Sequence, residues 1–487
     1  MKQFQFIIYN LRFKICFFIS CFLFLISSDV SSQNVWSLQK CIDYALMNNI
    51  SIKQTELNTQ TADVRVTQSY AAFLPSLNGN ISHVYDFGRA VDPLTNAFTT
   101  NRVVSENFSI GASLTIFNGF QLQNSLKQSR LDYMSSTYDL KKIANDISLN
   151  VVSDYLQVLF SIEGVGVANQ QLDLIKKQQD NTKKLVDAGS LPRGSLLDIN
   201  AQVANNELAL INAQNSLDLA YLGLKQLLDL DSVRDFQIDK PIIEVSTFVI
   251  TANEIDNIYQ TAEKRQPEVL SADLKYKSTE TALSIARGGR SPRLTMSGNY
   301  GTGYSDQLLQ LAGTPIATNT FPIIGFDTAG VPVHAITPVY NYSFTTTPFF
   351  TQLTNNLNKS FGFNLSVPIF NNWSTNSNIK RAKINLVNAK YNSEQVRLTL
   401  KKSIEQAYYD ASAAYKKYNA TLVSVESLKE AFKYAQQKFD VGLTTSYDYL
   451  IAKNNLDKAQ SDLIQAKYDY LFKTKILDFY QGKSLTF

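Results

Sequence analysis

The fold class predicted for this chain is mixed: a membrane β-barrel to which each chain contributes four strands, continued by a long α-helical coiled-coil barrel. Three observations carry that expectation. Short segments alternate apolar and small polar residues with the period of a strand. Two segments keep a helical period for far longer than a globular helix does. The whole plan is written twice within 487 residues.

The strands come first. In NFSIGASLTIFNGF (Asn107–Phe120), Phe108, Ile110, Ala112, Leu114 and Ile116 alternate with Asn107, Ser109, Gly111, Ser113 and Thr115. One face is then apolar and the other small and polar. Leu77–Tyr85, Leu294–Tyr300 and Ser360–Ile369 repeat the pattern. Each run is about ten residues long, which suits a tilted strand crossing a bilayer. A soluble sandwich would need a second apolar layer, and no other strand-rich region supplies one.

Four strands cannot cross a bilayer alone. Their two edges would leave peptide groups unpaired in hydrocarbon, on the order of several kcal/mol each, so copies must share a barrel. About eight strands enclose little beyond their own side chains, whereas about twelve, from a homotrimer, leave room for water. Asn107, Ser109, Ser113, Thr115, Ser360, Asn364 and Ser366 are therefore expected to face a wet lumen, with the apolar positions toward outer-membrane lipid.

The helical segments are too long for a globule. The first runs from about Phe120 to Asp187, with Ile143, Ile147, Val151, Tyr155, Val158, Ile162 and Val165 at three- and four-residue spacing. Leu172, Ile175, Gln179, Thr182 and Val186 continue as heptads. At 1.5 Å per residue this helix is roughly 100 Å long, and so extended a seam implies coiled-coil packing. The second runs from about Trp373 to Asp440. Gly189 and Gly442 follow the two ends, where a left-handed residue terminates a helix. Ser195…Asp198 and Thr445…Asp448 have the spacing of a capping box for the returning helices.

The repeat is read by superposition. Placing IFNGF (Ile116–Phe120) over IFNNW (Ile369–Trp373) sets an offset of 253 positions, which also places Gly189 on Gly442 and Leu224 on Leu477. Upstream, LPSL matches SPRL at an offset of 217, so the second copy carries extra sequence near Gly301–Asn358. That stretch, poor in periodicity, is expected to be a long extracellular surface loop, and GTGYSD within it is read as loop. The expected organisation is a leader at 1–32, a first copy at 33–232, a linker at 233–252 and a second copy at 253–487. Each copy opens with one helix, about Leu38–Tyr70 and Ile255–Ala286.

The leader is legible in its own right. Arg12 and Lys14 precede Ile15–Ser27, an apolar run of about thirteen residues followed by SSDVSSQ. That suits a cleaved secretory signal better than a retained anchor. Cys16 and Cys21 leave with it, so Cys41 remains and no internal disulfide forms. Beyond the leader no apolar run long enough for a membrane helix is apparent.

The formal charge of +4 and the lack of basic–aromatic clusters exclude a nucleic-acid partner. His83 and His334 are the only histidines and neither has a nucleophile or metal-ligand set nearby in sequence. No phosphate loop or cysteine pair is present, so no enzyme and no cofactor is expected.

The strand–long helix–glycine turn–helix plan, written twice behind a signal peptide, resembles the TolC-like outer-membrane efflux proteins. FDVGLTTSYDYLIAKNNLDKAQSDLIQAKYDYL (Phe439–Leu471) resembles that family's second tip and returning helix, and LPSL with IFNGF/IFNNW resembles the entry and exit of its barrel strands. The resemblance implies a homotrimeric duct in the outer membrane of a Gram-negative bacterium, with a periplasmic helical extension. Its tips would meet a periplasmic adaptor protein belonging to an inner-membrane pump. It further implies that Gly189, Leu191, Gly442, Leu443 and Thr444 face that adaptor, and that Asp187 and Asp440 constrict the tip. The first tip, AGSLPRGSLLD, departs from the pattern at Pro192 and Arg193. The rival expectation is a periplasmic coiled-coil adaptor or scaffold, which would remain in the aqueous fraction without detergent.

Overall fold

The computed structural model describes residues 35–92, 94, 96–99, 102–230, 236–241, 245, 247, 254–318 and 320–485. The leader, most of the linker stretch PIIEVSTFVI (residues 241–250) and the terminal Phe487 lie outside them. In chain order the main elements are helices α1 (Leu38–Asn48) and α2 (Ile50–Ala71), strands β1 (Ser76–Asp86) and β2 (Val103–Phe117), then α3 (Gln121–Asp187) and α4 (Arg193–Leu227). There follow α5 (Glu254–Arg265), α6 (Pro267–Gly288), β3 (Arg293–Ser305), α7 (Phe349–Asn355), β4 (Asn358–Ser366), α8 (Ser374–Asp440) and α9 (Ser446–Gln481).

These elements divide into two compact units. One comprises Ala62–Tyr133 and Lys275–Lys390; the other comprises the described residues up to Thr61, with Met134–Leu274 and Tyr391–Phe487.

In the first unit the four long strands form one antiparallel sheet in the order β4–β3–β2–β1. The strands differ from the sequence expectation in several places, β2 starting at Val103 rather than Asn107. β4 stops at Ser366, so Val367 and Ile369 are not strand residues, because Pro368 cannot donate to a ladder. β3 continues through the glycines of GTGYSD to Ser305, where a loop was expected, since β2 offers a full row of partners as far as Ser105. A bulge between Thr115 and Phe117 leaves Ile116 outside the pairing and brings Phe117 opposite Leu294.

Each strand-to-helix turn contains two consecutive left-handed residues: Gly119 and Phe120 (φ 68° and 61°), and Asn372 and Trp373 (φ 51° and 64°). Bulky residues rarely adopt this conformation, so the surrounding turn must hold them there.

The expected long surface loop is an ordered β-arm. Leu309–Leu311 pairs with Phe344–Thr346, Ile316–Ala317 with Tyr340–Asn341, and Ile323–Phe326 with Pro332–His334, all antiparallel. Its pairing escapes periodicity because Pro315, Pro322, Pro332 and Pro338, with its glycines, interrupt the alternation.

In the second unit the opening helix of each copy, expected as one, is two. The break falls at Asn49, whose side chain donates to the Leu227 carbonyl and accepts from the Ser51 amide. The other falls at Gln266, where Pro267 opens α6 as a first-turn proline does. These positions are 217 apart. α3 passes through Gly164 and Gly166 without interruption, and α3 and α8 are 67 residues each.

The main core joins Leu38, Cys41 and Ala45 of α1, Val151, Tyr155 and Leu159 of α3, Leu224 of α4 and Leu471 of α9. A parallel pair, Val35–Trp36 with Gln237–Ile238, borders it, and the Tyr155 hydroxyl donates to the Asp239 carbonyl at 2.9 Å. The sequence expectation of no further apolar helix is corrected here. α3 contains one window long and apolar enough, by composition, to cross a membrane, and its Val151–Leu159 stretch packs in this core. Elsewhere Arg397 of α8 forks onto both oxygens of Asp273 at 2.8 Å and reaches Glu263 at 2.9 Å, fastening α5 and α6.

Candidate channel wall and hairpin tips

Over most of its height the sheet sorts its side chains by face. Directly opposed residues share a face in an antiparallel ladder. The rows Asn78–Gly111–Asn299–Ser360, Ser76–Ser113–Ser297–Gly362 and Thr115–Thr295–Asn364 are small and polar throughout. Asn107 and Ser109 join the same face through Gly303 and Gly301, and Ser366 does so opposite Arg293. All seven candidate lumen residues thus share one face. The intervening rows are Leu77–Ala112–Gly298–Phe361, Gly79–Ile110–Tyr300–Lys359 and Leu114–Met296–Phe363. Phe349 of α7 packs on Phe108 and Tyr304 at one end of this apolar face, and the rest is uncovered: Leu77, Ile81, Phe361, Phe363 and Leu365 are all exposed. A soluble sheet would bury it.

The apolar face ends in a polar row where His83 Nδ1 lies 2.8 Å from Glu106 Oε1. Sequence spacing could not pair residues 23 apart across a turn. The outer edges of β1 and β4 have no pairing strand among the described residues.

At the other site, both hairpin turns close in the same way. The Ser190 amide donates to the Leu185 carbonyl and the Gly189 amide to that of Val186; Leu443 and Gly442 do likewise to Lys438 and Phe439. This pair of bonds satisfies the last helix carbonyls and needs a left-handed residue, met by Gly189 (φ +73°) and Gly442 (φ +75°).

The starts of the returning helices differ. Thr445 caps α9: its hydroxyl accepts from the Asp448 amide at 3.1 Å and donates to the Asp448 carboxylate at 2.8 Å. Thr444 also donates to that carboxylate, and these bonds hold Asp448 below the usual carboxylate range. The expected cap at Ser195 is corrected. α4 starts at Arg193 after Pro192, whose fixed φ opens the helix without a side-chain cap, and Ser195 is buried inside the first turn.

Around the turns, Leu443 and Val441 are exposed, Leu191 and Thr444 half-buried, and Asp187 and Asp440 exposed. Two features were missed in the sequence. Tyr449 is buried and stacks on Phe439 across the turn, centroids 5.0 Å apart, which pushes its hydroxyl up to about 12 through burial first and then Asp440. The signal was an aromatic on each side of the glycine. The two tips are also joined: Ser446 Oγ donates to Asp198 Oδ2 at 3.3 Å, and Gln202 to Asn454 at 3.1 Å. The buried seam of α3 follows Leu172, Ile175, Gln178 and Thr182. Gln178 therefore occupies the position expected of Gln179, since the straight helix drifts from a strict heptad.

The chain combines a two-faced sheet, whose outer edges are unpaired among the described residues, with two 67-residue helices that each end in a glycine turn, as a channel-forming subunit requires. A profile of the outer membrane efflux protein family matches residues 41–229 and 258–482, and the chain belongs to that family. It is thus an outer-membrane exit duct with a periplasmic helical part, and the scaffold alternative falls away. It is 22% identical to the outer membrane protein TolC of Escherichia coli over 446 residues, 89% of this chain and 80% of that one. In fold it is similar to VceC from Vibrio cholerae, with a TM-score of 0.72 and 14% identity over 92% and 96% of the two chains. The Campylobacter jejuni CmeC outer membrane channel gives 0.71 and 17% over 91% and 85%.

Proposed function

We propose that three copies close a twelve-stranded barrel by pairing β1 of one with β4 of the next, and that this duct passively conducts cargo delivered by an inner-membrane pump through a periplasmic adaptor. The observation that carries the reading is the sheet itself, with a polar face, an uncovered apolar face and two open edges. Because β1 and β4 run in opposite directions, their pairing continues the antiparallel order. Asn107, Ser109, Ser113, Thr115, Ser360, Asn364 and Ser366 then line a wet lumen, and Phe361, Phe363 and Leu365 face lipid.

The helices support the same association. α4 leaves Leu197, Leu208 and Leu219 exposed, and beside them Ile211 and Leu222, at spacings of eleven. An eleven-residue repeat keeps one stripe on one side of a nearly straight helix, as contact with an adjacent helix requires. At the tips, exposed Leu443 with Gly442 and Thr444, and Gly189 with Leu191 at the other turn, form the adaptor-facing surface, and Asp187 and Asp440 narrow the opening.

Light scattering on the detergent-purified protein tests this reading, together with current recording in planar bilayers. A trimeric mass and steady ion conductance are expected. A monomer that stays in the aqueous fraction and carries no current would overturn it.

A further inference from the structure

The arm between β3 and β4 has an unusual surface. From 307 to 358 there is no lysine, arginine or glutamate, and Asp327 is the one acid. That carboxylate is used locally, accepting the Ala329 and Val331 amides at 2.9 Å to close the arm's tip. The large apolar side chains point outward: Ile336 is 98% exposed, Ile316 73% and Phe326 68%. Isolated two-stranded hairpins are marginal in water, and uncharged apolar strands in solvent are an association hazard.

The arm is nevertheless firmly mounted. At its root Ser305 donates to the buried Asp92 carboxylate. The Ser305 amide donates to Gln352 Oε1 at 2.9 Å, and Gln352 Nε2 returns bonds to the Ser305 and Thr347 carbonyls. Gln352 is wholly buried. A fixed root with an uncovered shaft points to an occupant.

We infer that the occupants are the arms of the two neighbouring copies, so that three arms pack into a collar at the outer mouth of the duct; this rests on the trimeric reading above. Close to a three-fold axis a side chain meets its own images, so a charge there repels itself, and an arm without lysine, arginine or glutamate meets no such cost. An anionic lipid headgroup would call for lysine or arginine, and the arm has neither. Pro315, Pro322, Pro332 and Pro338 break the edge donors, which disfavours open-ended strand addition and leaves side-chain faces as the contact. The arm also springs from the β3–β4 connection, beside the edge at which the next copy joins.

The test uses the full-length protein with single cysteines, Ile336→Cys or Phe326→Cys, the native Cys41 being buried. A trimeric mass is expected, with linked dimers and trimers formed by a short bis-maleimide. Labelling by a hydrophilic maleimide should be about tenfold slower than at Leu443→Cys, as local burial dictates. Adding Ile336→Asp to Phe326→Cys should place like charges around the axis and restore fast labelling. A trimer whose arm cysteines label as fast as Leu443→Cys, without links, overturns the collar and leaves the trimer standing. Protection in lipid vesicles but not in detergent, without links, assigns the arm to lipid and also overturns it. A monomeric mass overturns both readings together.

Discussion

Lys453 Nζ lies 2.7 Å from Asp457 Oδ2 one turn along α9, with the lysine side chain 2% exposed and the aspartate 18%. Burial pushes the Asp457 carboxyl up from its ordinary value, and the lysine ammonium pulls it back. Removing one partner strands the other. Asp457→Leu should cost about 3–5 kcal/mol, whereas Lys453→Met with Asp457→Leu should return stability to the starting value or above it. Thermal melting of the three proteins in one detergent checks this. Equal melting of the single variant and the parent would show that the ammonium finds water.

Ser360 and Phe361 are neighbours on β4 with side chains on opposite faces. Phe361→Arg places a cation toward lipid, at a cost of about 2–4 kcal/mol near the bilayer centre, and should reduce the protein recovered in outer membranes. Ser360→Arg should insert normally and reduce cation conductance. Equal insertion of the two variants would remove the assignment of faces.

Gly442 holds a φ of +75°. A side chain there costs about 1–2 kcal/mol and distorts the second tip. Gly442→Leu should therefore weaken export while membrane assembly continues, read as lowered resistance to an exported compound at equal outer-membrane abundance. Asp440→Asn should raise single-channel conductance by relieving a constriction, and an identical trace would exclude Asp440 from it.

The lowered Asp448 carboxyl sets a pH dependence. Its charged form is favoured in the folded state, so its contribution is present above the ordinary value of 3.8 and is lost as pH falls through the lower folded value. Amide exchange in the first turn of α9 should accelerate below that point. In Asp448→Asn the acceleration should disappear, and its persistence would assign it to another group.

Much of this was open to reading along the chain. Alternation over Asn107–Thr115 defined two faces before any partner strand was known, because a strand's side chains alternate whatever it pairs with. Gly189 and Gly442 marked the turns for an equally local reason, since only glycine takes that conformation freely. The break at Asn49 was hidden: its cap partner is the Leu227 carbonyl, 178 residues away. The arm reads as loop in the sequence because its ladders join short segments around prolines.

Local covalent and steric constraints therefore settled, from sequence, the strand faces, the long helices, their glycine stops and the family resemblance. Tertiary structure alone decided the β4–β3–β2–β1 order, the link from Ser446 to Asp198, the Lys453–Asp457 burial and the mounting of the arm on Gln352. Those depend on which groups remote in the chain meet and exclude water, and no short-range periodicity encodes such a meeting.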